Sequence, residues 1–383
     1  MANPIYLDYN ATTPVDPDVV DAMLPYFGVH YGNPSSKRHA FGWTADEAVT
    51  IARERLGALV EANPDWVHFT GGATEAINWC IKGYAATNQG KGRHLIAVAT
   101  EHKAVLGSCQ AMEKLGWDVT VLGVDRNGRA DPAELAAAIR EETVLVCCMW
   151  ANNELGAIHP VAEITEIAHA RGVAVLVDAT QAVGKVQVSV GDIDFLACSA
   201  HKFYGPKGVG ALIINGSRPR LRLEPLIHGG GQEFGKRAGT SNVPGIVGLG
   251  AAAEKARRLL DGEAAHLAKL RDQLEDGIRA MGAEMIVNGA NGPRLPNTSN
   301  VTFPGVDTAR LLERIPGLAV STGSACSTGS GSPSHVLSAI DSDLDSATLR
   351  LSLGRFSTIQ EVSAAAEQIG RAAAELQLVS QEN

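Results

Sequence analysis

The sequence predicts an α/β protein with a large, mostly parallel sheet of seven strands, and two features of the chain support this. Short apolar runs rich in β-branched residues alternate with helical patterns between about residues 65 and 215. These runs are almost continuously apolar, which indicates strands covered by helices on both faces. The seven predicted strands span residues 67–70, 95–99, 119–124, 144–149, 173–177, 195–199 and 210–214.

A smaller α/β domain is predicted after this region. Leucine, isoleucine and methionine recur at spacings of three and four between residues 267 and 281, which predicts an amphipathic helix. A second helical pattern, with Val362, Ile369 and Leu376, ends the chain. We therefore predict a large domain over residues 14–257 and a small domain formed by residues 1–13 and 258–383. The Ser-, Gly- and Thr-rich stretch 321–334 favours a mobile loop.

Composition excludes several classes of protein. The 383 residues are 45% hydrophobic and 20% charged, as in ordinary globular proteins, and the net charge of -9 offers no basic surface for nucleic acid. No apolar run approaches the roughly 20 residues that span a membrane, and the N-terminus lacks the pattern of a signal peptide. The six cysteines form no CxxC pair, which argues against a zinc site. A reducing cytoplasm is the expected compartment.

The most informative motif is Ser199-Ala200-His201-Lys202, which begins at the end of the predicted strand 195–199. A lysine at the end of a buried strand is well placed to form a Schiff base with a carbonyl cofactor. Asp178, after the strand 173–177, provides the carboxylate that keeps the pyridine nitrogen of pyridoxal 5′-phosphate (PLP) protonated. Gln181, one turn later, could hydrogen-bond the phenolic oxygen of the ring. Together these residues predict PLP as the cofactor.

A glycine-containing turn supplies a candidate phosphate site. Thr70-Gly71-Gly72-Ala73-Thr74 runs from a predicted strand into a helix, whose first N–H groups can bind phosphate. The alternative is a tight turn in which Thr74 caps the helix. Nucleotide motifs are not matched elsewhere. The glycines at 229–231 open no evident βαβ unit, and Gly184-Lys185 lacks the first glycine and the Ser or Thr of a Walker A loop.

Several motifs resemble a known enzyme family. Val177-Asp178-Ala179-Thr180-Gln181, Ser199-Ala200-His201-Lys202 and Ser324-Ala325-Cys326-Ser327 resemble the cysteine desulfurases of the NifS/IscS type, in the class V branch of the fold-type I PLP enzymes. The resemblance extends from Tyr6-Leu7-Asp8-Tyr9-Asn10 to near Phe356. It implies a fold-type I PLP transferase with a large PLP-binding domain. The small domain would then carry a catalytic cysteine loop.

The resemblance also implies roles for individual residues. His102 would stack on the ring and relay protons, Asn153 would lie near the ring and the substrate, and Arg350 would bind the substrate carboxylate. Thr240 would reach the phosphate of a neighbouring subunit. Cys326 would be the nucleophile that takes sulfur from the substrate. The residues expected at the phosphate on the same chain are Ala73, Thr74, Ser199 and His201.

The function implied is that of a homodimeric PLP-dependent cysteine desulfurase. Such an enzyme converts L-cysteine to L-alanine and holds a persulfide on Cys326. The persulfide passes to an acceptor, such as an iron–sulfur scaffold or a sulfurtransferase, for iron–sulfur clusters or for thio-modified cofactors and nucleic acids. A selenocysteine lyase and a class V aminotransferase are alternatives on the same fold. A non-catalytic sulfur-carrier subunit is a more distant one, and Lys202 argues against it.

Overall fold

The structure is a computed structural model that describes residues 4–218, 221–322 and 334–381. Its strands are β1 (Ile5–Tyr6), β2 (Val67–Thr70), β3 (His94–Val98), β4 (Asp118–Leu122), β5 (Thr143–Cys147), β6 (Ala174–Asp178), β7 (Phe195–Ser199), β8 (Gly210–Ile214), β9 (Ile286–Val287), β10 (Thr298–Phe303), β11 (Leu318–Ala319), β12 (Ser321–Thr322) and β13 (Ala347–Ser352).

Helices connect and cover these strands. They are α1 (Pro17–Met23), α2 (Pro25–Gly28), α3 (Ala40–Leu59), α4 (Ala73–Asn88), α5 (Lys103–Glu113), α6 (Pro132–Ala138), α7 (Val161–Ala170), α8 (Val243–Ala280), α9 (Thr308–Arg314), α10 (His335–Ala339) and α11 (Ile359–Gln381). Among the described residues, no helix has both the length and the apolar character needed to cross a membrane.

The seven predicted strands form one sheet in the order β2-β8-β7-β6-β5-β3-β4. Strands β3 to β7 pair in parallel, whereas β8 runs antiparallel to both of its neighbours. Strands β3, β5, β6, β7 and β8 are buried along their whole length because helices pack on both faces of the sheet. The prediction of an α/β fold with a mostly parallel seven-stranded sheet is therefore confirmed.

A second sheet forms the core of the C-terminal part. Its four strands pair antiparallel in the order β12-β13-β10-β9, and β1 pairs with β11 in a separate parallel ribbon. Leu274 of α8, Leu349 of β13 and Ile369 of α11 belong to one buried cluster under this sheet. The smaller C-terminal α/β unit is thus present, and Leu7 from the N-terminus packs into it.

Helix α8 joins the two parts and begins earlier than the leucine pattern after residue 267 indicates. Its first half is rich in glycine and alanine because it packs closely on α3: a Cβ on Gly250 would lie 2.6 Å from the Cα of Ala52. Ala256 belongs to the core of the large sheet, whereas Leu267 belongs to the core of the small one. On this basis we propose the division into residues 14–257 on one side and 1–13 with 258–383 on the other.

The predicted mobile loop 321–334 has ordered ends. Ser321 and Thr322 form β12, which pairs with β13, and the buried hydroxyl of Ser334 caps α10 by accepting from the N–H groups of Val336 and Leu337. These two ends are strand and helix cap rather than loop. Residues 323–333, and with them Cys326, lie outside the described part of the chain.

Candidate active site

A cavity of about 830 Å³ opens beyond the carboxyl ends of the parallel strands. This is the place where open α/β sheets bind their ligands, and the volume suits a cofactor together with a small substrate. Ten of the predicted site residues line it: Ala73, Thr74, His102, Asn153, Asp178, Gln181, Ser199, His201, Lys202 and Arg350.

Lys202 enters the cavity from a short 3-10 turn, Ala200–Lys202, that directly follows β7. Its amine donates hydrogen bonds to the carbonyl oxygens of Asn10 and Ala11, at 2.6 and 2.8 Å. The N-terminal segment thus holds the Lys202 amine at the cavity wall. Lys207 also lines the cavity, but from the Gly-Pro-Lys-Gly turn beyond the strand.

Asp178 is the last residue of β6, and its carboxylate is buried with one oxygen accepting from the backbone N–H of Thr180 at 3.0 Å. Gln181 follows in the next turn. Its amide nitrogen donates to the Asn10 carbonyl at 2.8 Å, and its amide oxygen accepts from Lys185 at 2.5 Å. The hydroxyl of Thr180 is buried and has no hydrogen-bond partner among the described residues.

His102 caps α5 and is held in one orientation by that cap. Its Nδ1 accepts from the backbone N–H of Ala104 at 3.1 Å, so the proton of the neutral ring lies on Nε2, the only other ring nitrogen. Removal from water lowers the pKa of the imidazole, and the nearby Asp178 carboxylate works in the opposite direction. The preceding Glu101 is fully buried, and this burial raises the pKa of its carboxyl well above the usual range.

The opposite wall of the cavity has the features of a phosphate site. Strand β2 ends at Thr70, and α4 begins at Ala73 with free backbone N–H groups in its first turn. Gly72 has φ +148°, a backbone conformation that favours glycine, and a Cβ there would lie at ordinary van der Waals distance, 3.6 Å, from the hydroxyl of Ser199. Burial and the neighbouring lysines lower the pKa of His201 to about 4, so its ring is neutral and serves as a hydrogen-bonding group.

Arg350 lies in β13, at the edge of the cavity that faces the small sheet. Its NH2 donates to the Asp8 carboxylate at 2.7 Å, and its NH1 donates to the Asn153 carbonyl at 3.2 Å. Its Nε is buried and has no hydrogen-bond partner among the described residues. NH1 and NH2 each carry a second N–H that can donate to an anionic ligand in the cavity. Asn153 contributes the side chain that lines the cavity beside it.

The structure does not bring Thr240, one of the predicted site residues, into this cavity. Thr240 is exposed and lines a separate cleft of about 140 Å³. The segment before it is fastened to its own chain by ion pairs of Glu233 with Arg53 at 3.0 Å and of Arg237 with Glu75 at 2.9 Å. Cys326 falls within the residues that are not described.

Sequence reasoning missed the part played by the N-terminal segment. Asp8, Asn10, Ala11 and Thr12 all line the cavity, and Thr12 lies 3.1 Å from Nδ1 of His201 through its hydroxyl. In the sequence, Tyr6-Leu7-Asp8-Tyr9-Asn10 is marked only by its resemblance to a known family. That resemblance was the available signal, because no pattern of spacing connects these residues with the strands they contact.

The donor set fits PLP on three counts. The anion site at α4 suits a phosphate, the buried Asp178 carboxylate suits a pyridinium N–H, and the Lys202 amine suits a carbonyl carbon.

The comparisons with known proteins agree with this chemistry. The family described as Aminotransferase class-V matches residues 5–365. The cysteine desulfurase IscS of Anaeromyxobacter dehalogenans is 48% identical over 384 residues, covering 99% of this chain and 95% of that protein. The protein belongs to the cysteine desulfurases of the class V family. Its relatives include the IscS of Neisseria gonorrhoeae, also 48% identical, over 96% of this chain and 91% of that protein.

Solved structures of related proteins share the fold. A NifS-like protein superposes with a TM-score of 0.88 and 38% identity, over 97% of this chain and all of that one. A structure described as SspA in complex with cysteine gives a TM-score of 0.82 and 36% identity, over 92% of this chain and 99% of that one. The predicted family, the fold-type I architecture and PLP as the cofactor are therefore confirmed.

Proposed function

We propose that the cavity at the end of the large sheet is where this cysteine desulfurase converts L-cysteine to L-alanine. One observation carries the assignment: Lys202, Asp178, His102 and Arg350, from four separate segments, line a single cavity. When bound, PLP supplies an electron-accepting ring that stabilises negative charge at the Cα of an attached amino acid. Asp178 would hold the ring nitrogen, and Thr74 with Ser199 and the first N–H groups of α4, including that of Ala73, would hold the phosphate.

Lys202 serves both to hold the cofactor and to move a proton. Its amine would be the group that holds PLP through the carbonyl carbon of the cofactor until the amine of cysteine replaces it. The carbonyls of Asn10 and Ala11, at 2.6 and 2.8 Å, keep the freed amine inside the site. From there its nitrogen can accept the proton of the substrate Cα. A base held within reach of its proton is the geometric requirement for general base catalysis.

His102 assists as a proton carrier, because its pKa is lowered and its neutral ring bears the proton on Nε2. Arg350 binds the substrate carboxylate. Its NH1 and NH2 groups each donate one hydrogen bond within the protein and each keep a second N–H for the carboxylate. Arg350 and Asn153 line the same cavity. The substrate is thereby oriented at both its amino and carboxylate ends.

Cys326 acts as the sulfur acceptor. The other five cysteines of the chain are all buried, and burial raises the thiol pKa of Cys198 to about 12 and that of Cys80 and Cys148 well above the usual range. The Cys326 thiolate attacks Sγ of the substrate, and the Cβ–Sγ bond breaks with its electron pair moving to Cβ. Protonation of Cβ and the return of a proton from Lys202 to Cα give alanine, and the enzyme keeps a persulfide.

The active unit is a homodimer. Phe27 and Val29 are 66% and 67% exposed, and the neighbouring Tyr31 and Phe41 rings lie 5.3 Å apart on the same surface. Exposed aromatic and aliphatic side chains in such a group favour burial against another protein surface. A second copy is the occupant we propose, with Thr240 reaching the partner's phosphate. The persulfide then passes to an acceptor protein for iron–sulfur cluster assembly or related thio-modifications, in the cytoplasm.

The test is the stoichiometry of the products. PLP-loaded protein given L-cysteine and a reductant is expected to release alanine and sulfide in equal amounts. Parallel reactions contain L-selenocysteine, or L-alanine with a keto acid. Transamination of L-alanine with the keto acid, together with no sulfide release from L-cysteine, would contradict the assignment and favour a transaminase.

A further inference from the structure

Lys185 is a buried lysine that does not line the active-site cavity. It follows Gly184, which has φ +76° in the turn after β6. Its side chain is directed toward Gln181 and Asn10. The side chain donates to the amide oxygen of Gln181 at 2.5 Å and approaches Oδ1 of Asn10 at 3.4 Å. Among the described residues, no carboxylate forms an ion pair with it. Burial without a counter-ion is costly for a lysine, so the position calls for an explanation.

The contacts of Lys185 determine which group of the Gln181 amide is left for a ligand in the cavity. An amide side chain has one oxygen that accepts and one nitrogen with two N–H groups that donate. In Gln181 the oxygen is taken by Lys185, and one N–H is taken by the Asn10 carbonyl at 2.8 Å. The remaining N–H is the group that Gln181 can offer to the cavity it lines. Rotating the amide by half a turn would place its nitrogen against the lysine and its oxygen against a carbonyl.

We propose that Lys185 is a positioning residue that locks the Gln181 amide so that it presents an N–H donor to the phenolic oxygen of bound PLP. The inference rests on the proposed site, in which Gln181 faces the ring. Lys185 does not touch the cofactor and acts through Gln181. Asn10 strengthens the arrangement, because its carbonyl accepts from both Gln181 and Lys202 and its side chain contacts Lys185.

This role does not require a charged lysine. Burial, together with the nearby cations Lys202 and Arg350, lowers the pKa of Lys185 well below its usual range. A neutral amine still has two N–H groups, which match the two acceptors, Gln181 Oε1 and Asn10 Oδ1. Lys185 thus acts as a hydrogen-bond donor whose long side chain reaches the amide of Gln181.

A double-mutant cycle on PLP affinity tests the proposal. Native protein, Gln181→Leu, Lys185→Met and the double variant are stripped of cofactor and titrated with PLP, and the pH midpoint of the visible band of bound PLP is recorded. Loss of one hydrogen bond weakens binding by about tenfold, so each single variant and also the double variant should bind about tenfold more weakly. The visible band should titrate at higher pH in all three, because the donor favours the ionised phenolic oxygen. Lys91→Met, at an exposed lysine, is the control.

A loss of PLP affinity of about a hundredfold in the double variant, the product of two tenfold losses, would overturn the proposal. Native PLP affinity together with a native visible band in Lys185→Met would also overturn it. If Lys185→Met does not fold, the double variant still decides the matter, because it replaces both partners by apolar groups. Its PLP affinity must equal that of Gln181→Leu, and a weaker affinity refutes the inference. Native affinity in Gln181→Leu refutes it too, whereas failure of native protein to bind PLP would refute the proposed site itself.

Discussion

Arg355 links three parts of the chain through a buried ion-pair network, and its removal is expected to destabilise the protein strongly. Its Nε donates to Glu263 of α8 at 2.8 Å, and its NH1 donates to Asp16 at 2.7 Å. The guanidinium also lies 4.1 Å from the centre of the Tyr204 ring. The side chains of Arg355 and Asp16 are only 12% and 1% exposed, so water cannot replace the lost partner.

The magnitude follows from burial. Removing one member of a buried ion pair costs about 3–5 kcal/mol when the partner charge is left without compensation. Lys255, 2.6 Å from Asp16, still compensates that carboxylate, so the loss falls mainly on Glu263, whose side chain is 11% exposed. Arg314→Met provides a matched control, since Arg314 pairs with Glu375 at the same 2.7 Å but with side chains 39% and 66% exposed. An exposed pair of this kind contributes about 0–1 kcal/mol. We therefore expect Arg355→Met to lose several times more unfolding free energy than Arg314→Met.

Urea unfolding followed by circular dichroism measures both variants. Burial alone would raise the pKa of Asp16, but the hydrogen bonds from Lys255 and Arg355 outweigh it and the pKa is lowered. Such a carboxylate contributes its stabilisation above the unfolded pKa of about 4 and loses it as the pH falls through the lower folded value. The difference between native protein and Arg355→Met should thus be full at pH 7 and shrink below about pH 4. Equal losses in Arg355→Met and Arg314→Met at pH 7 would refute the reasoning.

Three further predictions concern the chemistry. Lys202→Ala should lose the visible absorbance of bound PLP on dialysis, whereas Lys207→Ala should keep it; a borohydride-reducible adduct retained in Lys202→Ala would contradict this. Cys326→Ala should bind PLP and exchange the Cα proton of L-alanine for deuterium, measured by NMR, but form no persulfide by mass spectrometry; near-normal sulfide release would point to another nucleophile. Arg350→Lys should raise the KM for cysteine about 10–100-fold with a smaller change in kcat, because the ammonium lacks the planar fork; an unchanged KM would rule out the carboxylate contact.

The fold could be predicted where one kind of contact dominates. Strands β2, β7 and β8 have the bounds that the sequence predicted. In β7 and β8 burial between helix layers requires almost entirely apolar side chains, whereas His68 and Thr70 of β2 are polar although buried. The first half of α8 could not be predicted in this way. It packs through the small side chains around Gly250 against α3, and small residues produce no strong apolar period. Contact between two backbones leaves little trace in hydropathy.

The site could be predicted where the chemistry demands a residue type. PLP requires an amine and a carboxylate, so Lys202 and Asp178 stood out at two strand ends. The contribution of Asn10 is different in kind. Its side chain donates to Thr298 at 2.9 Å and accepts from Asn297 at 3.1 Å, while its carbonyl accepts from Lys202. These partners are far apart in sequence, so nothing local marks the asparagine as part of a site.

The N-terminal segment makes the stability of the protein and the geometry of its site interdependent. Asp8 pairs with Arg350 of the small sheet, and Asn10 holds Lys202 of the large one, so residues 8–10 connect the two cores at the cavity. A few residues later Asp16 anchors the same segment to Arg355. Loosening that anchor frees the segment that places both the amine and the guanidinium. A variant at Arg355 should therefore weaken PLP retention as well as stability, although Arg355 is not among the residues that line the cavity.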